Sequence, residues 1–273
     1  MPTDWTPRET VVISGAAGRI GRSIVPLLRR PGRMLRLLDL EIPDAPREDY
    51  VTWHRVSIED PDGLTAAMRG ATAVVHLAGL ASERPWRDIL RVNIDGTHNV
   101  LEAARANGVQ RVLLASSAHA VGFTPVSEAH SATVLPPRPD TYYGMSKAAV
   151  EALGSLYADR FGMSIVSARI CTFDEEPGDG RTIALWLSPG DAARLVEAAV
   201  ALDDGRHHVV WGVSDNAPRW LPLEAGHEIG YHPVDDAVSF RTRRDGVAPA
   251  WPDPEVLLGG SFTDAAHPVG GTW

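Results

Sequence analysis

The chain has 273 residues, enough to bury one or two full cores, and an ordinary 44% hydrophobic share. Its formal charge of -9 disfavours a role resting on attraction to a phosphate backbone, so no nucleic-acid partner is expected. A single cysteine, Cys171, excludes an internal disulfide framework and a thiolate cluster, so no metal is expected.

Apolar runs of strand length alternate with longer helical patterns over the first two thirds of the chain. In chain order the expected strands cover residues 10–14, 34–39, 50–56, 71–78, 111–116 and 164–170. Helical patterns lie between them at 19–30, 61–68, 86–107 and 143–161. This alternation predicts an α/β fold, a doubly wound parallel sheet of the Rossmann type covered by helices on both faces. Ligands of such sheets sit beyond the carboxyl ends of the strands. After residue 170 the texture changes. A polar, Gly-containing stretch at 175–181 precedes a helix at 189–202 and a strand at 207–213, and from Ala248 the chain is rich in Pro and Gly. The division expected is residues 1–170 for nucleotide binding. Residues 171–273 form a small carboxyl-terminal substrate-binding region that returns in part to the main sheet. The start, MPTDWTPRET, lacks a basic segment followed by an apolar run. No stretch approaches the roughly 20 apolar residues of a membrane span. A soluble cytoplasmic protein without a membrane partner is the expectation.

The first strand runs into GAAGRIG, which places Gly15, Gly18 and Gly21 at G-x-x-G-x-x-G. A turn of this kind leaves room for a pyrophosphate against the backbone, and the following helix offers unpaired N–H groups to it. Three glycines alone are weak evidence, but a strand precedes them and a helix follows. The second strand, MLRLLD, ends in Asp39. A carboxylate there accepts hydrogen bonds from both ribose hydroxyls of NAD and repels a ribose phosphate, which favours NAD over NADP. The plain alternative for Asp39 is a turn cap after a strand.

Tyr143-Gly-Met-Ser-Lys147 is the second anchor. Positions i and i+4 share a helix face, so phenol and ammonium can point at one site. A nearby ammonium lowers a phenol pKa, which would let Tyr143 exchange a proton with a substrate hydroxyl. The fifth strand ends in Ala115-Ser116-Ser117, and a serine hydroxyl at its carboxyl end can orient that group. On its own Y-x-x-x-K is more often solvated surface than active site.

Through GAAGRIG, Asp39, VVHLAG, VNIDGTHNVLEAA, LLASS and YGMSK the sequence resembles the extended short-chain dehydrogenase/reductases. The resemblance implies Tyr143 as general acid/base, Lys147 as its electrostatic partner and Ser117 as the orienting hydroxyl. It also implies a cofactor set of Gly15, Ala17, Gly18, Arg19, Ile20, Gly21, Asp39, Leu77, Ala78, Gly79 and Asn93, with Tyr143 and Lys147. Within that group GLASERPW, SSAHAVGF, RICTFDEEPGDGR, WLSPGDAARLVEAAV, VVWGVSDN and LGGSF are similar to uronate dehydrogenases. Those enzymes oxidise the anomeric carbon of a hexuronate to an aldarolactone with NAD. The similarity implies a sugar site of Ser82, Ser117, Ala118, His119, Tyr143, Thr172 and Arg181. Arg181 also has its own rationale, because a planar guanidinium suits a carboxylate. Without the resemblance, an arginine in a polar loop is more often solvated, and His119 would read as structural.

Three positions depart from the pattern. Ala118 stands where uronate dehydrogenases have asparagine, Ser57 where an aspartate near adenine is expected, and Cys171 where glycine is usual. The first opens the substrate to a different sugar or polyol; the others bear on the cofactor site. An NAD-retaining epimerase or dehydratase is the enzyme alternative, and a dinucleotide sensor without turnover the non-enzyme one. A homodimer through helices 86–107 and 143–161 is compatible with their apolar faces, which the chain's own sheet could equally cover.

Overall fold

The computed structural model describes residues 8–44, 48–132, 135–178, 180–217, 219–247 and 256–273. Its sheet strands are β1 (Glu9–Ser14), β2 (Arg33–Asp39), β3 (Val51–Arg55), β4 (Ala73–His76), β5 (Arg111–Ser117) and β6 (Ser164–Ile170). Two short strands follow, β7 (Thr172–Phe173) and β8 (Trp186–Leu187), and then β9 (His207–Gly212). Among the described residues one seven-stranded sheet runs in the order β3-β2-β1-β4-β5-β6-β9, with every pairing parallel. β7 and β8 pair separately. The order reverses between β1 and β4, and a crevice at such a switch point is where a doubly wound sheet takes its ligand.

Strand composition follows from burial on both faces. In β1, Val11 and Ile13 join the core on one side while Val12 joins the core on the other, as a two-residue period requires. β5 repeats the split, with Leu113 on the first side and Val112 and Leu114 on the second. Each such side chain removed from water contributes about 1.5–3 kcal/mol. The first face is covered by α1 (Arg19–Ile24) and α8 (Pro189–Ala201). The second is covered by α2 (Pro61–Ala67), α4 (Gly96–Ala106) and α6 (Tyr142–Phe161). A third core, including Val121, Leu185, Trp220, Leu223 and Leu258, sits under the carboxyl-terminal region.

Two expected helices differ in detail. The helix at 19–30 tightens to a 3-10 turn over Val25–Leu28, because Pro26 cannot continue the α ladder. The pattern at 86–107 is one continuous rod of three stretches with two hydrogen-bond periods. It contains α3 (Trp86–Ile89), a π-helical turn Leu90–Asp95, and α4. π turns recur at functional sites because the extra residue re-aims a side chain, here Asn93. The long α6 starts at Thr141, whose side chain accepts from Gly144 N at 3.0 Å, and stops at Gly162 with φ 68°. After β6 the chain crosses β7, α7 (Arg181–Ala184), β8 and α8 before β9 pairs with β6, so the last third supplies a strand to the main sheet. Of the Pro- and Gly-rich tail, residues 248–255 lie outside the described residues. The rest folds back as turns around a 3-10 turn at Gly260–Thr263.

Candidate active site

At the crevice, Gly15 has φ 72°, and a Cβ there would stand 2.5 Å from Ala78 N, so only glycine lets the first turn rest on the end of β4. A Cβ on Gly21 would meet Ala16 O at 2.5 Å, which seats α1 tightly on the turn. Gly18 N donates to Gly15 O at 3.1 Å and Leu77 N to Ser14 O at 3.1 Å, closing the cradle. The Asp39 carboxylate accepts from Ala17 N and from Leu40 N, each at 2.8 Å. It therefore braces the glycine turn and also stands at its rim. Arg19 is exposed and pairs with Asp174 at 3.7 Å, reaching toward the segment after β7. Ile20 packs against the core below. Gly79 has φ 157°, and its missing Cβ would meet Asn93 Oδ1 at 3.1 Å. Asn93 Oδ1 accepts from Leu80 N at 2.8 Å, and its amide donates to Leu80 O and Ser146 Oγ, each at 3.0 Å. Ser57 does not extend this set: its hydroxyl accepts from Glu59 N at 3.1 Å and caps a turn.

Ser117, Tyr143 and Lys147 come together, all buried, at the ends of β5 and α6. Lys147 Nζ donates to Ala115 O at 2.7 Å and lies 5.6 Å from the centre of the Tyr143 ring. Burial lowers the Lys147 ammonium to about 8. For Tyr143 the expectation of a lowered phenol is reversed in the free chain. Burial pushes it up, a hydrogen bond from the Ser117 hydroxyl pulls it back, and the Asp140 charge raises it further. The physical reason is that desolvation penalises the phenolate while the ammonium sits over the ring and is spent on a carbonyl.

His119 lies on the 3-10 turn Ala118–Val121 after β5, with its ring 5.7 Å from that of Tyr143. Its Nδ1 bonds to Asp140 Oδ2 at 2.6 Å, and Asp140 Oδ1 accepts from Thr141 Oγ1 at 2.9 Å. Room for that carboxylate is made by Gly122, Gly144 and Gly259, where a Cβ would stand 1.9, 2.7 and 2.2 Å from it. Phe262, from LGGSF, stacks on His119 with centroids 3.9 Å apart. Arg181 opens α7, donates to Leu258 O, and keeps a buried Nε without a partner. Burial lowers its pKa, with Cys171 and Asp140 opposing. Among the described residues no carboxylate pairs with it. Cys171 is pushed up to about 12, chiefly by burial, and stays a thiol. Ser82 accepts from Arg84 at 2.8 Å, Thr172 N donates to Leu185 O at 2.8 Å, and Ala118 is buried. Among the described residues neither Ser82 nor Thr172 is hydrogen-bonded to Tyr143.

Sequence reasoning missed Glu83, Asp140 and Phe262. Asp140 and Glu83 stood inside quoted or adjacent motifs, but charged residues beside a helix start usually face solvent. The signal for Phe262 was its place in LGGSF.

The glycine cradle, the rim carboxylate Asp39 and the buried Ser117-Tyr143-Lys147 group are a donor set that suits NAD. The chain also matches known proteins over most of its length. The uronate dehydrogenase of Pseudomonas syringae pv. tomato is 37% identical over 272 residues, covering 98% of each chain. The NAD-dependent glucose-6-phosphate dehydrogenase of Haloferax volcanii is 36% identical, covering 85% of this chain and 95% of that one. A mutant uronate dehydrogenase from Agrobacterium tumefaciens, solved in complex with NAD, superposes with TM-score 0.83 at 32% identity, covering 96% of this chain and 99% of that one. Residues 11–209 match the model of the NAD dependent epimerase/dehydratase family, and with this cradle and this side-chain group the chain belongs to that family.

Proposed function

We propose that the protein is an NAD-dependent dehydrogenase that oxidises the anomeric carbon of a hexuronate to an aldarolactone. The observation that carries this reading is Arg181. A half-buried guanidinium with a buried, unpartnered Nε and no carboxylate partner among the described residues, beside Leu258, is a site waiting for a ligand anion, and a uronate supplies one.

Bound at the cradle, NAD supplies the acceptor for the hydride that leaves the anomeric carbon. Tyr143 takes the proton of the anomeric hydroxyl, and Ser117, bonded to the Tyr143 side chain, orients it. Lys147, whose ammonium rests on Ala115 O 5.6 Å from the centre of the Tyr143 ring, is the positive charge placed to stabilise a phenolate as it forms, and Asn93 fixes the loop at Gly79 beside it. His119, held by Asp140, presents its remaining nitrogen to the sugar, under Phe262. Residues 171–273 contribute Thr172 and Arg181 to the substrate side, while residues 1–170 carry the cofactor side. Asp39 selects NAD over NADP. The same reading makes the protein a cytoplasmic enzyme of small-molecule metabolism, paired through α4 and α6, where Leu156 is 55% exposed. Among the described residues no helix is long and apolar enough to cross a membrane.

One observation favours a second reading. Ala118 offers no amide to a sugar hydroxyl, and a relative of similar identity is named for glucose 6-phosphate, whose phosphate would also suit Arg181. The test is NADH release with galacturonate, glucuronate, glucose 6-phosphate and neutral aldoses. Stoichiometric NADH with hexuronates supports the proposal. Preference for the phosphate or a neutral sugar replaces the substrate, and conversion without NADH would make the enzyme an epimerase.

A further inference from the structure

Glu83 is wholly buried, with 0% exposure, in the loop after β4 that also carries Gly79 and Ser82. Its carboxylate accepts from three backbone amides, its hydrogen bonds among the described residues. Oε2 accepts from Tyr143 N at 2.7 Å; Oε1 accepts from Tyr142 N at 3.2 Å and from Gly270 N at 2.7 Å. The first two are unpaired amides of the first turn of α6, the turn that carries Tyr143. The third belongs to the carboxyl-terminal segment, 187 positions away, that closes over the site.

That segment is the roof. Phe262 stacks on His119 and stands edge-on to Trp273 at 4.5 Å, while Trp273 O accepts from Arg84, the residue next to Glu83. Gly270 has φ 80°, and its absent Cβ would stand 3.2 Å from the Tyr142 ring, which is itself edge-on to Trp86 at 5.3 Å. Roof, catalytic helix and the loop after β4 thus meet at one buried carboxylate.

We propose that Glu83 is a positioning residue for the reaction: it ties the roof to the first turn of α6, so that placement of Tyr143 and closure over the sugar happen as one event. This rests on the reading of Tyr143 as the proton acceptor. Placement of this kind matters because a shift of about 1 Å at a reacting group costs about 100-fold in rate.

The variant that tests it is Glu83→Gln, which keeps shape but has one carbonyl oxygen to offer. Its NH2 must then face either the Tyr143 amide or the pair formed by Tyr142 and Gly270. With a hexuronate, kcat should fall about 10- to 100-fold. KM for NAD should hold, and the isotope effect from deuterium at the anomeric carbon should rise as the chemical step becomes limiting. Backbone hydrogen exchange should quicken together in peptides covering Tyr142 to Gly144 and Gly270. An unchanged kcat, or faster exchange in only one of the two peptides, overturns the proposal. Should the variant fail to fold, the unmodified chain still decides. The three amides should open as one unit, and exchange rates differing more than about tenfold would show that they do not. The exchange measurement needs no substrate, so absence of hexuronate turnover by the unmodified enzyme would remove the function and leave the joint to be judged alone.

Discussion

The two ends of the crevice are made of different materials. Over β1, β2 and β4 the surface is largely backbone: Gly15, Gly18 and Gly79 present no side chain, Asp39 accepts from two main-chain amides, and Asn93 bonds the Leu80 main chain besides Ser146. Over β5 and β6 it is made of side chains from separate segments, Ser117, His119, Tyr143, Arg181 and Phe262, held by Asp140 and Glu83. A backbone surface is defined by a few glycines and suits a ligand shared across a family. A side-chain surface changes with each substitution, so substrate choice can drift while the cofactor stays.

The sharpest way to break this contrast is at Tyr143. Tyr143→Phe should lower kcat about 10²- to 10⁴-fold while NAD affinity and melting temperature stay near the parent's. Calorimetry and steady-state kinetics on one preparation check it, and near-parental turnover would assign the proton to another group.

His76 probes the seam between the ends. On β4, its Nδ1 bonds to Ser14 Oγ at 2.7 Å and its Nε2 to Thr97 Oγ1 at 3.0 Å, and Thr97 donates to Asn93 O. Burial first, then the Lys147 charge, hold its pKa at about 3, against 6.5 for a free imidazole. Between those values the unfolded chain binds the extra proton, so stability is full above about 6.5 and falls as the pH drops. From pH 7 to 5 the loss from this residue should be about 2 kcal/mol. Urea unfolding at both pH values should show a smaller loss in His76→Gln; an identical loss would mean that other groups carry the acid sensitivity.

Arg181→Lys should reduce kcat/KM for a hexuronate about tenfold, because an ammonium cannot reproduce the guanidinium fork. A neutral aldose should feel the change much less. Equal loss on both would make Arg181 a support for Leu258 and its loop.

The smallest effect is expected at the backbone end. Asp39→Ala should weaken NAD by about 1 kcal/mol because the Ala17 amide loses its acceptor, while NADP is also relieved of a repulsion, so the preference for NAD narrows. Unchanged NAD affinity in a calorimetric titration would show that the glycine turn holds its shape unaided.

The same contrast governs what could be read in advance. The glycine turn, Asp39 and the Tyr143-Lys147 pair rest on local spacing, a strand followed by a turn or one helical step of four, and local spacing is written in consecutive residues. The parallel sheet followed from alternation, the order of its strands did not, and the strand expected at 207–213 appears as His207–Gly212 beside β6. Glu83 and Phe262 act across the chain: Glu83 reaches Tyr143 and Gly270, and Phe262 reaches His119, with no periodicity to announce either. Asp140 is nearer in sequence, but its role depends on three glycines from different segments clearing space around it. The π turn was hidden because one extra residue per turn over six positions barely disturbs an apolar stripe. The phenol's upward shift depends on how completely Tyr143 is buried and on where the Lys147 ammonium ends up, neither of which is a property of Y-x-x-x-K.

Strand β9 has a consequence for engineering by recombination. Because His207 to Gly212 pair along the whole open side of β6, residues after 170 cannot be exchanged as a block. A replacement whose returning strand did not match β6 would leave the β6 edge with a row of unpaired amides and carbonyls. Grafts intended to change the sugar should therefore enter at the crossings that flank α7 and at the roof, and leave α8 and β9 as part of the host.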